Sequence, residues 1–138
     1  MFVLDTCFVS EFAMKVPNTG VLKWLGQQDE AGLFITTLTL GELVKGIERL
    51  SLGRKRTELE RWLDHDLLLR FHGRIFSFDQ AAARDWGRLC ATLERHGLTM
   101  PAVDSQITAI CLVHGADIVT RNSKDFRSTG VEVVNPWT

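Results

Sequence analysis

Residues 2–11, FVLDTCFVSE, place an acidic side chain directly after a short apolar run. Phe2, Val3 and Leu4 have the length and composition of a buried strand, and Asp5 stands at its end. A carboxylate in that position has two interpretations: it caps a following helix, or it belongs to a functional site. The rest of the chain has to decide between them.

The composition is typical of an ordinary globular domain. The chain has 138 residues, of which 45% are apolar and 24% are charged, with a formal net charge of −1. We therefore expect a single domain over residues 1–138. The overall charge gives no indication of nucleic-acid binding, so only local clusters of charge are informative.

The cysteines and the apolar runs indicate the compartment. Cys7, Cys90 and Cys111 include no Cys-x-x-Cys pair, which argues against a zinc knuckle and predicts reduced thiols. No apolar run approaches the roughly 18 residues that a bilayer requires, and no signal peptide is recognised. We expect a cytoplasmic protein without membrane contact.

Short apolar runs that alternate with amphipathic segments predict an α/β fold. Strand-length runs occupy residues 2–4, 33–35, 74–78, 118–120 and 131–134. Helical spacing of apolar residues occupies residues 21–25, 40–50 and 59–71, and further helices are predicted over 79–96 and 101–115. This alternation favours a parallel sheet with helices on both faces. The polar stretch SLGRKRTE, residues 51–58, is expected to join two helices as a hairpin.

Acidic or amide side chains come from four segments of the predicted fold. Asp5 follows the first strand, and Glu42 lies early in the helix after the second. Asp104 lies in the first turn of the helix that leads to the fourth strand, and Asn122 and Asp125 follow that strand. Because the helices run antiparallel to the strands, all these positions meet at the carboxyl edge of the sheet, where ligands bind.

Each of these residues also has a purely structural interpretation. Asp5 can cap a helix, and Thr39 with Glu42 matches the capping box Ser/Thr-x-x-Glu/Gln. Asp104 suits the positive end of a helix dipole, and the two residues after the fourth strand are typical of turns. Taken together, however, crowded carboxylates repel one another unless a cation neutralises them. A divalent ion that prefers oxygen ligands, such as Mg²⁺, is the simplest solution. Ligands from His65, His72, His96 and His114, all predicted on helices or at their ends, are not required.

Four stretches carry a resemblance to a known family: VLDTCFVSE, TTLTLGELVKGIERL, MPAVDSQITAICLVHGADIVTRNSKDF and VEVVNPW. They occur in the expected order and span nearly the whole chain. The chain resembles a PIN domain and, within that group, a VapC-type toxin of the FitB-like branch. This resemblance implies a three-layer α/β/α sandwich with a central, mostly parallel sheet of four to five strands.

The resemblance also implies a function. It implies a Mg²⁺- or Mn²⁺-dependent endoribonuclease toxin of a type II toxin–antitoxin system, which hydrolyses RNA phosphodiester bonds. A cognate VapB-type antitoxin would neutralise it, and a homodimer and a larger toxin–antitoxin complex are expected.

Individual residues can be matched to the family's site. Asp5, Glu42 and Asp104 match the acidic triad, and Asn122 stands where some members have a fourth acid. We expect Asp5 and Asp104 to bind the ion, with Glu42 holding it or orienting the attacking water. Asn122 would contact a coordinated water or a second ion. The hydroxyl groups of Thr6 and Thr120 would fix the carboxylates by hydrogen bonds.

Two departures from the family pattern bear on this site. Cys7 stands where the family more often has Asn, and Asn122 is neutral. Asp125 could supply the missing charge. The interpretation preferred from the sequence is that this segment packs against the body of the protein, because Phe126 follows directly.

The densest basic segment offers candidate contacts for a partner. It comprises Lys45, Arg49, Arg54, Lys55 and Arg56. These side chains could bind RNA phosphates or an acidic antitoxin tail, or they could form a solvated surface. Trp24, Trp62 and Trp86 fall on apolar helical stripes and are predicted to pack in the core or in an interface.

Two other classes of function are compatible with parts of the pattern. A phosphatase with a nucleophilic Asp after its first strand usually has a second Asp two residues later, and that position is Cys7. A receiver-like module, or a PIN domain that binds a partner without catalysis, would show no metal-dependent turnover. The three principal acids argue against such a silent module, although the neutral Asn122 leaves it open.

Overall fold

The computed structural model describes residues 1–138 and contains a five-stranded, fully parallel sheet. The strands are β1 (Phe2–Leu4), β2 (Leu33–Thr36), β3 (Ile75–Phe76), β4 (Asp117–Val119) and β5 (Val133–Val134). Their order across the sheet is β3-β2-β1-β4-β5. The predicted α/β class and strand number are confirmed, although β3 and β5 have only two residues each.

Eight helices surround the sheet. They are α1 (Thr6–Glu11), α2 (Thr19–Gly26), α3 (Thr37–Glu48), α4 (Arg54–Arg61), α5 (Leu68–Arg70), α6 (Gln80–Arg95), α7 (Ala102–His114) and α8 (Ser123–Phe126). A π-helical segment, Trp62–Leu67, joins α4 to α5, and short 3-10 turns occupy Glu30–Gly32 and Arg127–Thr129. The predicted limits of α6 are confirmed, since the Asp79 side chain caps its first turn and Gly97 follows its end with a positive φ of 70°.

The connection between α3 and α4 is shorter than the sequence suggested. The polar stretch 51–58 was expected to be a linker, but α4 begins at Arg54 and contains its second half. Two ion pairs with i,i+4 spacing, Arg54–Glu58 and Arg56–Glu60, favour helix there. Gly53 precedes the helix, so the hairpin turn is confined to the few residues before Arg54.

The sheet separates two apolar cores. Successive side chains of a strand point to opposite faces, so Leu4 joins one core and Val3 joins the other. The first core includes residues of α1, α2, α3 and the π-helical segment, and the second includes residues of α7 and α8. The three-layer α/β/α sandwich is therefore confirmed. Trp24 and Trp62 pack against the first core as predicted.

Parts of the predicted apolar faces are exposed. Leu22 on α2 and Val44 on α3 were assigned to buried stripes, but their exposed fractions are 48% and 44%. Both side chains lie at the side of the buried face of their helix. The buried apolar residues of these faces are Val21 in α2 and Ile47 in α3. All three cysteines are free, as predicted. No helix is long and apolar enough to cross a membrane.

The last residues of the chain pack against the end of α1 and the start of α2. The indole Nε1 of Trp137 donates to Oε1 of the buried Glu11 at 3.0 Å, and the backbone N–H of Asn18 donates to the other carboxylate oxygen. A Cβ atom on Gly20 would clash with the carbonyl oxygen of Pro136. This close approach explains glycine at that position, and hydrogen bonds between Asn18 and Thr138 hold the C-terminal segment at the start of α2.

Candidate active site

The candidate site lies at the carboxyl edge of the sheet, where the strand order reverses. The chain proceeds from β1 to β2 and β3 on one side, then returns to place β4 on the other side of β1. Such a reversal opens a crevice beyond the strand ends. Asp5 follows β1 and Thr120 follows β4, and the N–H of Asp5 donates to the carbonyl of Val119 at 3.1 Å.

Asp5 is both a helix cap and a member of the acidic cluster. Its Oδ1 accepts the N–H of Phe8 at 3.1 Å, which caps α1. The same oxygen accepts the thiol of Cys7, at an Sγ–Oδ1 distance of 2.8 Å. Burial raises the pKa of Asp5, while hydrogen bonds from Cys7, Thr120 and Phe8 oppose that rise. The two interpretations drawn from the sequence therefore do not exclude each other.

The role of Cys7 was missed by the sequence reasoning, which treated it only as a departure from the family pattern. Burial and the neighbouring Asp5 raise the pKa of this thiol to about 12, so it stays protonated and can donate at neutral pH. Its Sγ also accepts the backbone N–H of Arg121 at 3.5 Å. Cys7 thus connects the turn after β1 with the turn after β4. Its position two residues after Asp5, in the first turn of α1, was the available signal.

Glu42 is oriented by a threonine, and the predicted capping box is wrong. The N-cap of α3 is Thr36, whose hydroxyl accepts the N–H of Thr39 at 3.2 Å, so Thr39 lies inside the helix. Strand β2 runs directly into α3, which moves the helix start upstream of the capping-box motif. Glu42 instead accepts a short hydrogen bond from the hydroxyl of Thr6, and that hydroxyl also lies 3.1 Å from the hydroxyl of Thr39.

The raised pKa of Asp104 is the clearest evidence that the acidic side chains lie close together. Asp104 lies in the first turn of α7, where the sequence placed it. Its pKa is raised from 3.8 to about 6, first by burial and then by the charges of Asp125, Glu42 and Asp5, in that order of size. No basic side chain offsets this repulsion. Carboxylates from three other segments therefore act on Asp104 at this edge.

The two candidates after β4 occupy different environments. Asn122 is exposed, its backbone N–H donates to Thr120 Oγ1 at 3.0 Å, and its side chain makes no capping hydrogen bond. Asp125 lies in α8 and is the carboxylate with the largest charge effect on Asp104. Phe126 is fully buried, as its apolar character predicted. Phe126 can therefore pack in the core while Asp125 belongs to the acidic cluster, because the Phe126 side chain is buried and Asp125 is exposed.

The five basic candidates fall into three groups. Arg56 is held by Glu48 at 2.6 Å and by Glu60 at 2.9 Å, so its charge is already paired. Arg54 and Lys55 line a groove of about 900 Å³ between α1, α3 and α4 that reaches Thr6 and Glu42. Lys45 and Arg49 line a second groove, of about 500 Å³, on the other side of Glu42.

The donor set fits a hydrated divalent cation better than an enclosed one. No three His, Cys, Asp or Glu side chains are close enough together to enclose an ion. Mg²⁺, however, keeps several waters and commonly takes only one or two protein carboxylates. The mutual repulsion at Asp104 is what a cation in this crevice would relieve.

Comparison with known proteins gives the family. The model of the PIN domain matches residues 2–132. The chain belongs to the PIN-domain family, a family of nucleases that use divalent metal ions.

Similar proteins cover the full length of the chain. It is 34% identical to plasmid stability protein StbB of Pseudomonas syringae pv. tomato, over 99% of both chains. It is 31% identical to VapC ribonuclease Y4jK of Sinorhizobium fredii, over 99% of this chain and 98% of that protein. It is also 31% identical to toxin FitB of Neisseria gonorrhoeae, over 99% of both. The crystal structure of FitAcB from the same organism superposes with a TM-score of 0.93, at 31% identity and 99% coverage of both chains.

Proposed function

We propose that this protein is a Mg²⁺- or Mn²⁺-dependent endoribonuclease toxin that a cognate antitoxin neutralises. The observation that carries the proposal is the group of four interacting carboxylates, Asp5, Glu42, Asp104 and Asp125, with no basic partner at the carboxyl edge of a PIN fold. The similarity to a VapC ribonuclease and to toxin FitB supports the choice of substrate and the biological role.

The chain's own residues would bind and orient the reacting groups. Asp5 and Asp104 would hold the ion, and Glu42, oriented by Thr6, would hold it or position the attacking water. When bound, the ion would neutralise charge on the phosphoryl group and activate a water for hydrolysis. Thr120 and Cys7 would fix the Asp5 carboxylate by hydrogen bonds.

We assign the fourth acidic position to Asp125 rather than to Asn122. Asp125 acts on Asp104 more strongly than either of the other two acids does. Asn122 carries no charge, and its backbone joins the turn through Thr120. The side-chain amide oxygen of Asn122 would then accept at most a hydrogen bond from a water molecule in the site.

The groove between α1, α3 and α4 is the proposed place of the antitoxin. Its walls are largely apolar, with Phe12, Leu43, Leu59 and Trp62 among the lining residues, and it ends at Glu42. A protein segment with apolar side chains could fill these walls and block access to the carboxylates. A toxin homodimer and a larger toxin–antitoxin complex belong to the same proposal.

The deciding experiment is cleavage of a defined RNA pool by purified, antitoxin-free protein. We expect cleavage with Mg²⁺ or Mn²⁺ and none in EDTA. Asp104→Asn should reduce cleavage to background, because one carboxylate of the ion site is lost. Asp66→Asn is the matched control, since Asp66 is an exposed acid of the π-helical segment.

Two results would contradict the proposal. Cleavage by Asp104→Asn at the wild-type rate would remove Asp104 from the site. A folded wild-type protein that binds Mn²⁺ by calorimetry yet cuts no RNA, while still binding its antitoxin, would favour the silent binding module.

A further inference from the structure

The inference concerns the second groove, on the side of Glu42 away from the proposed antitoxin groove. Lys45 and Arg49 line it, together with Gly41 on α3 and Val103 at the start of α7. Glu42 belongs to both grooves. The second groove, here called the α3 groove, therefore reaches the Glu42 carboxylate, and Asp104 is the residue that follows its lining residue Val103.

The cations of the α3 groove are free of acidic partners. Lys45 and Arg49 are exposed and take part in none of the chain's salt bridges, whereas Arg56 nearby is held by two glutamates. Glu42, Lys45 and Arg49 follow one another along the same face of α3. The last two are about 6 Å apart along the helix axis, so their long side chains can contact neighbouring groups of an extended ligand.

A glycine on the same face, Gly41, leaves room for a ligand beside Glu42. Gly41 lies inside α3, where glycine is less favourable than alanine. A Cβ atom at Gly41 would meet nothing within 4 Å, so packing within the protein gives no reason for glycine there. Leaving this position without a side chain keeps the floor of the α3 groove open beside Glu42.

We infer that the α3 groove binds the phosphate backbone of a single RNA strand, with Lys45 and Arg49 as phosphate contacts, an inference that rests on the proposed function. Two unpaired cations suit a polyanion, and the groove leads the strand to Glu42. The two grooves thus divide between the two partners. The larger groove has the larger apolar wall and holds protein, although Lys15, Arg54 and Lys55 also line it, and the α3 groove holds RNA.

The test measures RNA binding in the inactive Asp104→Asn background, by fluorescence anisotropy with a labelled single-stranded RNA of mixed sequence. Adding Lys45→Gln and Arg49→Gln should weaken binding. It should also reduce the slope of log affinity against log salt by about 0.7 for each cation, or roughly 1.4 together. The matched control adds Arg54→Gln and Lys55→Gln, which removes the same charge from the rim of the other groove and should leave the slope unchanged.

A second variant tests the groove without changing its charge. Gly41→Gln should keep the protein folded, with an unchanged or higher melting temperature, because there is space for the side chain. It should nevertheless weaken RNA binding several-fold by filling the groove. Wild-type RNA affinity in Gly41→Gln would overturn the inference.

The remaining outcomes separate this inference from the proposed function. If the wild-type protein cuts RNA but the Lys45/Arg49 double variant keeps the parental affinity and salt slope, the inference is overturned and the ribonuclease remains. An equal loss of slope in the Arg54/Lys55 control would also overturn it, because binding would then not be confined to the α3 groove. If the Lys45/Arg49 variant loses antitoxin capture but not RNA, the groove belongs to the antitoxin. A wild-type protein that neither binds nor cuts RNA would reject the proposed function itself.

Discussion

At the scale of single residues, Asp104 links the stability of the protein to its proposed function. Its pKa is about 6 in the folded, ion-free protein, against an ordinary value of 3.8, first because it is buried and then because other acids surround it. The folded state therefore binds this proton more tightly than the unfolded state does. It follows that stability falls as pH rises from about 4 to about 6, and that it stays lower above this range.

We predict that Asp104→Asn stabilises the ion-free protein while it abolishes cleavage. Half-exposure of the side chain screens the repulsion, so the gain at neutral pH should be of the order of 1 kcal/mol rather than the full value of the shift. Urea denaturation in EDTA at neutral pH and near pH 4 would measure it, and the gain should vanish at the lower pH. Asp66→Asn should change stability by less than about 0.5 kcal/mol at either pH.

Cys7 is the second residue with a testable local role. Cys7→Ala removes the donor to Asp5 Oδ1, so the carboxylate loses one of the groups that orient it. We predict Mn²⁺ affinity lower by about tenfold, measured by calorimetry, because partners of metal ligands contribute on this scale. Cys7→Asn keeps a donor and should restore part of the affinity. Cys90→Ala is the control thiol, and an equal loss there would show a general effect on the fold.

At the scale of elements, the junction between β2 and α3 positions Glu42. Thr36 ends the strand and caps the helix, and it is fully buried. We predict that Thr36→Ala lowers the free energy of unfolding by about 1 to 2 kcal/mol, because the N–H of Thr39 loses its acceptor. Thr36→Ser keeps the hydroxyl and should retain most of that stability in urea denaturation. Equal destabilisation by the two substitutions would attribute the loss to packing of the methyl group instead.

At the scale of the whole molecule, Trp137 ties the C-terminus to α1, the helix that Asp5 caps. Trp137→Phe removes the donor to Glu11 and leaves a buried carboxylate with only the N–H of Asn18. We predict a loss of about 2 kcal/mol in the free energy of unfolding, because a charged acceptor loses a buried partner.

The matched substitution is Trp86→Phe. Trp86 Nε1 donates to the neutral Ser105 hydroxyl, which still bonds to the Ala102 carbonyl after the change. This substitution should therefore cost less than Trp137→Phe. The opposite order of the two losses would show that ring packing outweighs the hydrogen bond to Glu11.

Local patterns in the sequence were sufficient for the class of fold and for the edge on which the acids lie. The order of strands and helices, the Asp79 cap and the Gly97 stop depend on neighbours within a few residues, so they can be recognised from the chain alone. The lengths of β3 and β5 were overestimated. The same holds for Asp5 after β1 and Asp104 at the start of α7, because the alternation of elements determines which ends share an edge.

Only the tertiary structure decided which side chains interact at that edge. Thr6 contacts Glu42 across 36 positions of sequence, and Cys7 contacts the Arg121 N–H across 114. Asp125 acts on Asp104 from a separate short helix, whereas the apolar Phe126 beside it had favoured a packing role for this segment. These contacts depend on distances between segments that packing of the two cores brings together, and no local pattern encodes such distances. The sequence by itself thus determined the parallel sheet and the acidic edge, whereas the structure decided how the carboxylates are oriented and which grooves reach them.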